Sequence, residues 1–160
     1  MSKISIIMGS KSDLGIVTAA IDVLKEFKVA FEVKVLSAHR TPKELVKYVE
    51  AAPKRGVAAF IAAAGGAAAL AGVVAAHTIL PVIGIPIETR SLKGLDSLLS
   101  TVQMPGGIPV AGMSIGKAGA KNSALFALEI LGITDKKIRA RLISYKKSMG
   151  KKVRAVKLKI

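Results

Sequence analysis

The chain has 160 residues, enough for one domain, 1–160, that buries its own core without staples. It contains no cysteine, which excludes disulfides, thiolate nucleophiles and cysteine zinc sites; with only His39 and His77 to offer imidazole, no metal centre is expected. Its net charge of +15 is uneven, because the stretch from Thr134 onward holds 11 Lys or Arg against the single acid Asp135.

Taken in order, the first strand is read over Lys3–Met8. Its apolar run is too short for a signal peptide and no cleavage pattern follows, so the cytoplasm is the expected compartment. The turn Gly9-Ser10-Lys11-Ser12-Asp13 then opens a helix over Ser12–Phe27. The free N–H groups of that helix suit an anion such as phosphate, with the Ser10 and Ser12 hydroxyls beside them. Asp13 would repel phosphate, yet it can accept hydrogen bonds from sugar hydroxyls, and Ser10-x-x-Asp13 is itself a capping pattern.

A second strand, Phe31–Leu36, has the pattern of a buried strand and breaks into Ser37-Ala38-His39-Arg40. A helix over Pro42–Ala52 restarts at once, with Thr41, Pro42 and Glu44 spelling a capping box. Ser37, His39 and Arg40 are thereby pinned at a strand's carboxyl end, the edge where open α/β sheets bind ligands. They bring a hydroxyl, a titratable imidazole and a guanidinium to one place. The plain alternative is an ordinary exposed turn.

Val57 to Ile87 contains no charged residue, which raises the question of a membrane span. Gly65-Gly66, Pro81 and Pro86 interrupt the run and alanine dominates the rest, so no membrane span is expected. The stretch reads as a buried strand Val57–Ala63, a turn, a buried helix Ala67–Ala76 and a buried strand Val82–Ile85, as a parallel sheet covered on both faces requires. The turn around Gly66 and Ala67 has almost no side chain. Backbone N–H groups are expected to line a pocket there for a flat heterocycle or a small gas-like molecule; tight helix packing explains the same residues.

A short helix at Leu95–Val102, a strand at Pro109–Ser114 and a helix at Ala118–Leu131 complete the alternation. The basic segment 134–160 forms a last helix, because Ile138, Leu142, Tyr145, Met149 and Val153 recur at helical spacing. Docking on the body or on another subunit is favoured over nucleic acid, since Tyr145 is the only aromatic there to stack on a base. The Ala-rich helix and this stripe together offer more apolar surface than one chain covers, so a homo-oligomer is expected.

Such alternation implies right-handed crossovers and a three-layer α/β/α sandwich around a parallel five-stranded sheet. The order 2-1-3-4-5 would set the turns after strands 1, 2 and 3 side by side. The usual dinucleotide and P-loop glycine patterns are missing, so neither NAD nor ATP is favoured.

Met8-Gly-Ser-Lys-Ser-Asp13, Ser37-Ala-His-Arg-Thr-Pro42, Ala64-Gly-Gly-Ala-Ala68 and Asp96-Ser-Leu-Leu-Ser-Thr-Val-Gln-Met-Pro105 resemble the PurE family of 5-(carboxyamino)imidazole ribonucleotide mutases, in the family's order and spacing across about residues 4–131. The resemblance implies a flavodoxin-like fold, a homo-octamer, and cofactor-free transfer of a carboxylate from the exocyclic nitrogen to ring carbon 4 of an aminoimidazole ribonucleotide. It also implies His39 as general acid/base, with Ser10, Asp13 and Arg40 holding the ribose phosphate, and Ser12, Ser37, Gly66 and Ala67 completing the substrate site.

Two positions of the third turn depart from the family. Mutases usually read Gly-Gly-Ala-Ala-His-Leu-Pro-Gly at the third turn, whereas Ala69 and Ala71 stand here for the histidine and the proline. Related carboxylases that use carbon dioxide directly have alanine at the first of these positions but carry Gly-Arg-Ser-Asn before it, so the flanks favour the mutase. His77 is no substitute: eight residues of helix displace it by about 12 Å along the axis. A direct carboxylase and a non-catalytic basic nucleotide- or nucleic-acid-binding module are the alternatives.

Overall fold

The structure is a computed structural model that describes residues 2–157. Five parallel strands, β1 (Lys3–Met8), β2 (Ala30–Val35), β3 (Val57–Gly65), β4 (Val82–Ile87) and β5 (Ala111–Gly112), form one sheet in the order 2-1-3-4-5. The helices are α1 (Leu14–Glu26), α2 (Pro42–Glu50), α3 (Leu70–Ala76), α4 (Leu95–Val102), α5 (Lys117–Gly132) and α6 (Lys136–Arg154). No helix among the described residues is long and apolar enough to cross a membrane.

Alternation along β1 separates the two cores. Ile4, Ile6 and Met8 face a layer built by α1, α5 and the first half of α6, whereas Ile7 faces α2 and α3. Leu45 and Val49 are the buried residues of α2. At about 1.5–3 kcal/mol for each fully buried aliphatic side chain, they seat the helix whose first turn follows His39 and Arg40. At Gly84 on β4 an added Cβ would lie 2.3 Å from Thr101 Cγ2, so only glycine lets α4 approach the sheet so closely.

Several sequence expectations are corrected. β2 is not buried: it is the sheet's edge, with Val35 54% exposed. β4 runs on through Pro86, which had been expected to end it. N–H and C=O of one strand residue point to the same side, and the Pro86 carbonyl accepts from Gly116 on the β5 side, so its missing N–H faces a ladder only two residues long. β5 is correspondingly shorter than the expected 109–114 strand.

Thr41 makes no side-chain cap on α2. Its hydroxyl turns back to Ser37 instead, accepting from the Ser37 N–H at 2.9 Å and donating to the Ser37 carbonyl at 3.1 Å. The Ala-rich helix begins at Leu70 rather than Ala67, and Leu70, Ala71, Val74 and Ala75 are buried on the chain itself, so it offers no apolar surplus. The exposed apolar surface lies instead on α4, at Leu95, Leu99 and Val102, and on the second half of α6.

Candidate functional site

The carboxyl ends of β1, β2, β3 and β4 surround a cleft of ≈ 580 Å³. Its position follows from the strand order, since the chain leaves β1 in one direction for β2 and returns on the other side as β3.

The first turn supplies Ser10, Ser12 and Asp13. The capping pattern is realised: Ser10 N–H donates to Asp13 Oδ2 at 3.1 Å, and Ser12 N–H donates to Ser10 Oγ at 3.3 Å. Ser12 Oγ lies 2.9 Å from Ser10 Oγ and 3.3 Å from Asp13 Oδ1, so the three side chains form one linked group. Asp13 is 8% exposed. Burial pushes its carboxyl above the usual carboxylate range, and the bonds from Ser10 and Ser12 and the nearby Arg40 guanidinium offset this only in part.

The second turn closes on itself through Ser37, whose Oγ accepts from the Arg40 N–H at 3.2 Å and whose carbonyl accepts from the Thr41 N–H at 3.0 Å. Arg40 then crosses to the first turn, where Nη2 donates to the Gly9 carbonyl at 2.8 Å. His39 is exposed at the tip and lines the cleft with Ser37, Ala38 and Arg40. Two turns distant in sequence are thus held as one rim, with a free imidazole on it.

The third turn differs from its sequence reading. Gly66 has φ +70, which favours glycine, but it does not line the cleft. Its N–H donates to Ser97 Oγ at 2.9 Å, and Ser97 in turn donates to the Ile87 carbonyl at 2.6 Å. Ala68 N–H is spent on Gly66 O and Ala69 N–H on Ala67 O. The wall is made by Gly65, Ala67, Ala69 and Leu70, mostly through their surfaces, and in this stretch the Ala67 and Leu70 N–H groups make no hydrogen bond among the described residues.

His77 lies at the far end of α3, 3.3 Å from Glu50, and lines a different groove. Among the described residues no group of three His, Asp or Glu side chains is placed to hold a metal ion. Sequence reasoning missed Ile87 and Glu88, which line the cleft at the end of β4. Treating Pro86 as a strand breaker concealed them; the rule that ligands gather at strand carboxyl ends would have found them.

These features define a flavodoxin-like parallel α/β protein with a polar small-molecule cleft at the switch point of its sheet. The AIR carboxylase family profile matches residues 3–152, and the chain belongs to that family. It is 55% identical over 149 residues to an N5-carboxyaminoimidazole ribonucleotide mutase of Pyrococcus abyssi, covering 93% of this chain and 84% of the relative. It is 49% identical over 158 residues to one of Saccharolobus solfataricus, covering 99% of each. The crystal structure of Treponema denticola PurE superposes with a TM-score of 0.87 at 30% identity, covering 96% of this chain and 94% of that one.

Proposed function

We propose that this enzyme is an isomerase of purine biosynthesis that converts N5-carboxyaminoimidazole ribonucleotide into 4-carboxy-5-aminoimidazole ribonucleotide. The observation that carries the reading is the rim shared by His39, Arg40, Ser10 and Asp13, in a chain about half identical to proteins named as that mutase.

In this reading Arg40 and the hydroxyls of Ser10, Ser12 and Ser37 hold the phosphate end, and Asp13 accepts from the ribose hydroxyls. With Arg40 Nη2 bonded to Gly9 and Nε donating to Ser37 Oγ at 3.5 Å, Nη1 and the second Nη2 proton are what remains for phosphate. Breaking the N–C bond releases carbon dioxide, and the departing nitrogen takes a proton from His39. Carbon 4 then attacks the carbon dioxide, and His39 recovers a proton from that carbon, so one imidazole completes the cycle. The apolar wall of Gly65, Ala67 and Ala69 keeps the gas near the ring.

The chain acts as a single domain, 1–160, with the basic helix as an extension. The exposed faces of α4 and α6 support a homo-oligomer, an octamer by resemblance, working in the cytoplasm. The test is conversion of both nucleotides with and without bicarbonate. Isomerisation of the carboxyamino nucleotide without added bicarbonate is expected. Carboxylation of aminoimidazole ribonucleotide alone would mean a direct carboxylase, and binding without turnover a non-catalytic module.

A further inference from the structure

Glu88 is a carboxylate in the cleft that the chemistry above leaves unused. It follows Ile87, which pairs with Gly65 across the β3–β4 ladder, so it stands beside the third turn and lines the same cleft as Ala67, Ala69 and His39. It is exposed, and among the described residues no ion pair engages it. The other carboxylate of the cleft, Asp13, is buried and committed to Ser10 and Ser12.

Resting on the function proposed above, we infer that Glu88 is a substrate-positioning residue whose carboxylate accepts a hydrogen bond from the exocyclic amino group of the aminoimidazole. If the first two turns hold the phosphate and ribose, the heterocycle lies toward the third turn and the end of β4. Its amino group needs an acceptor there. Ala69 offers a methyl group, and the Gly66 carbonyl already accepts from Ala68 N–H at 2.8 Å and from Ser100 Oγ at 3.3 Å.

An ionised carboxylate has acceptor capacity only, so it matches an amino N–H and repels a carboxylate on the same nitrogen. That polarity favours carbon dioxide leaving nitrogen. An amino group bonded to Glu88 also donates more electron density to the ring, which makes carbon 4 the better nucleophile.

The test compares two ligands by calorimetry: 5-aminoimidazole ribonucleotide and the analogue with hydrogen in place of the amino group. Glu88→Ala should weaken the amino ligand by roughly ten- to a hundredfold, as expected for losing a hydrogen bond to a charged group. The analogue should change less than about twofold, because it cannot make the bond. Glu88→Met, which keeps the side-chain length but has no oxygen acceptor, serves if the alanine variant does not fold. Equal losses for both ligands, or no loss for either, would overturn the inference. Wild-type protein binding neither nucleotide would instead sink the function on which it rests.

Discussion

Arg40 Nη2 and the Gly9 carbonyl, 2.8 Å apart, join two turns separated by 31 residues and make one rim of them. Replacing Arg40 therefore removes a phosphate contact and the strap that fixes its neighbours. Arg40→Ala should lose substrate affinity by at least about tenfold, the scale of a charge-assisted hydrogen bond, with a smaller fall in turnover. Calorimetry beside steady-state rates separates the two; a variant with normal affinity would place the phosphate elsewhere.

His39 faces the cleft from the same rim. His39→Asn keeps the turn and the ligand contacts but cannot cycle a proton, so turnover should fall by about 10²–10⁴ with affinity retained. Near-normal turnover, or a loss only in proportion to binding, would remove His39 from the mechanism.

Asp13 sets binding against stability. Its carboxyl titrates above the unfolded value near 3.8, so the folded state holds the proton more tightly and stability declines as pH rises through that window. Asp13→Asn keeps an acceptor for the Ser10 N–H and offers its amide N–H to the Ser12 hydroxyl, while avoiding a buried charge. At neutral pH its melting temperature should be above wild type and its ribonucleotide affinity lower. A lower melting temperature at pH 7 would contradict this.

A second polar group ties the edge strand down. Tyr48 donates to Glu32 at 2.5 Å, Arg55 donates to Glu32 at 3.0 Å, and the Arg55 guanidinium lies 4.2 Å over the Tyr48 ring. Burial pushes Glu32 up, but the bonds from Tyr48 and Arg55 outweigh it and hold the carboxyl below 4.5. Its stabilisation is therefore complete above about pH 4.5 and lost as pH falls through the lower folded value. Burial and Glu32 push Tyr48 up to about 12, so its contribution is lost between pH 10 and about 12. Denaturant titrations of Glu32→Gln should lack the acid limb of the stability curve, and Tyr48→Phe the alkaline one.

The strands and the first turn were legible because hydrophobic runs and Ser10-x-x-Asp13 are local signals, and the parallel sheet followed from their alternation with helices. What was illegible depends on neighbours far away in sequence. The exposure of Val35 follows from which strand ends at the edge, and the tolerance of Pro86 from the brevity of β5 beside it. Thr41 looked like a cap, yet Ser37 offered its hydroxyl both a donor and an acceptor. The Gly66 N–H looked available until Ser97, 31 residues on, took it.

Beyond its middle, α6 leaves the body: Ile138 and Leu142 are buried, whereas Met149 is 42% and Val153 73% exposed. Deleting residues 151–160 should therefore shift the monomer's stability by no more than about 0.5 kcal/mol. Any duplex DNA affinity carried by the deleted cations should be weak and fade steeply with salt. A large loss of stability in a denaturant melt, or sequence-selective binding that survives physiological salt, would assign this end a role the body of the chain does not reveal.

The third turn has spent three of its amides. With Gly66, Ala68 and Ala69 N–H groups satisfied internally, that wall meets a guest mostly with methyl groups, and only the Ala67 and Leu70 N–H groups of this stretch make no hydrogen bond among the described residues. Bicarbonate would have to shed its water there for little in return, while carbon dioxide has almost no hydration to shed. On the function proposed above, so sparse a set of donors would favour the gas over the hydrated anion with which it equilibrates in water.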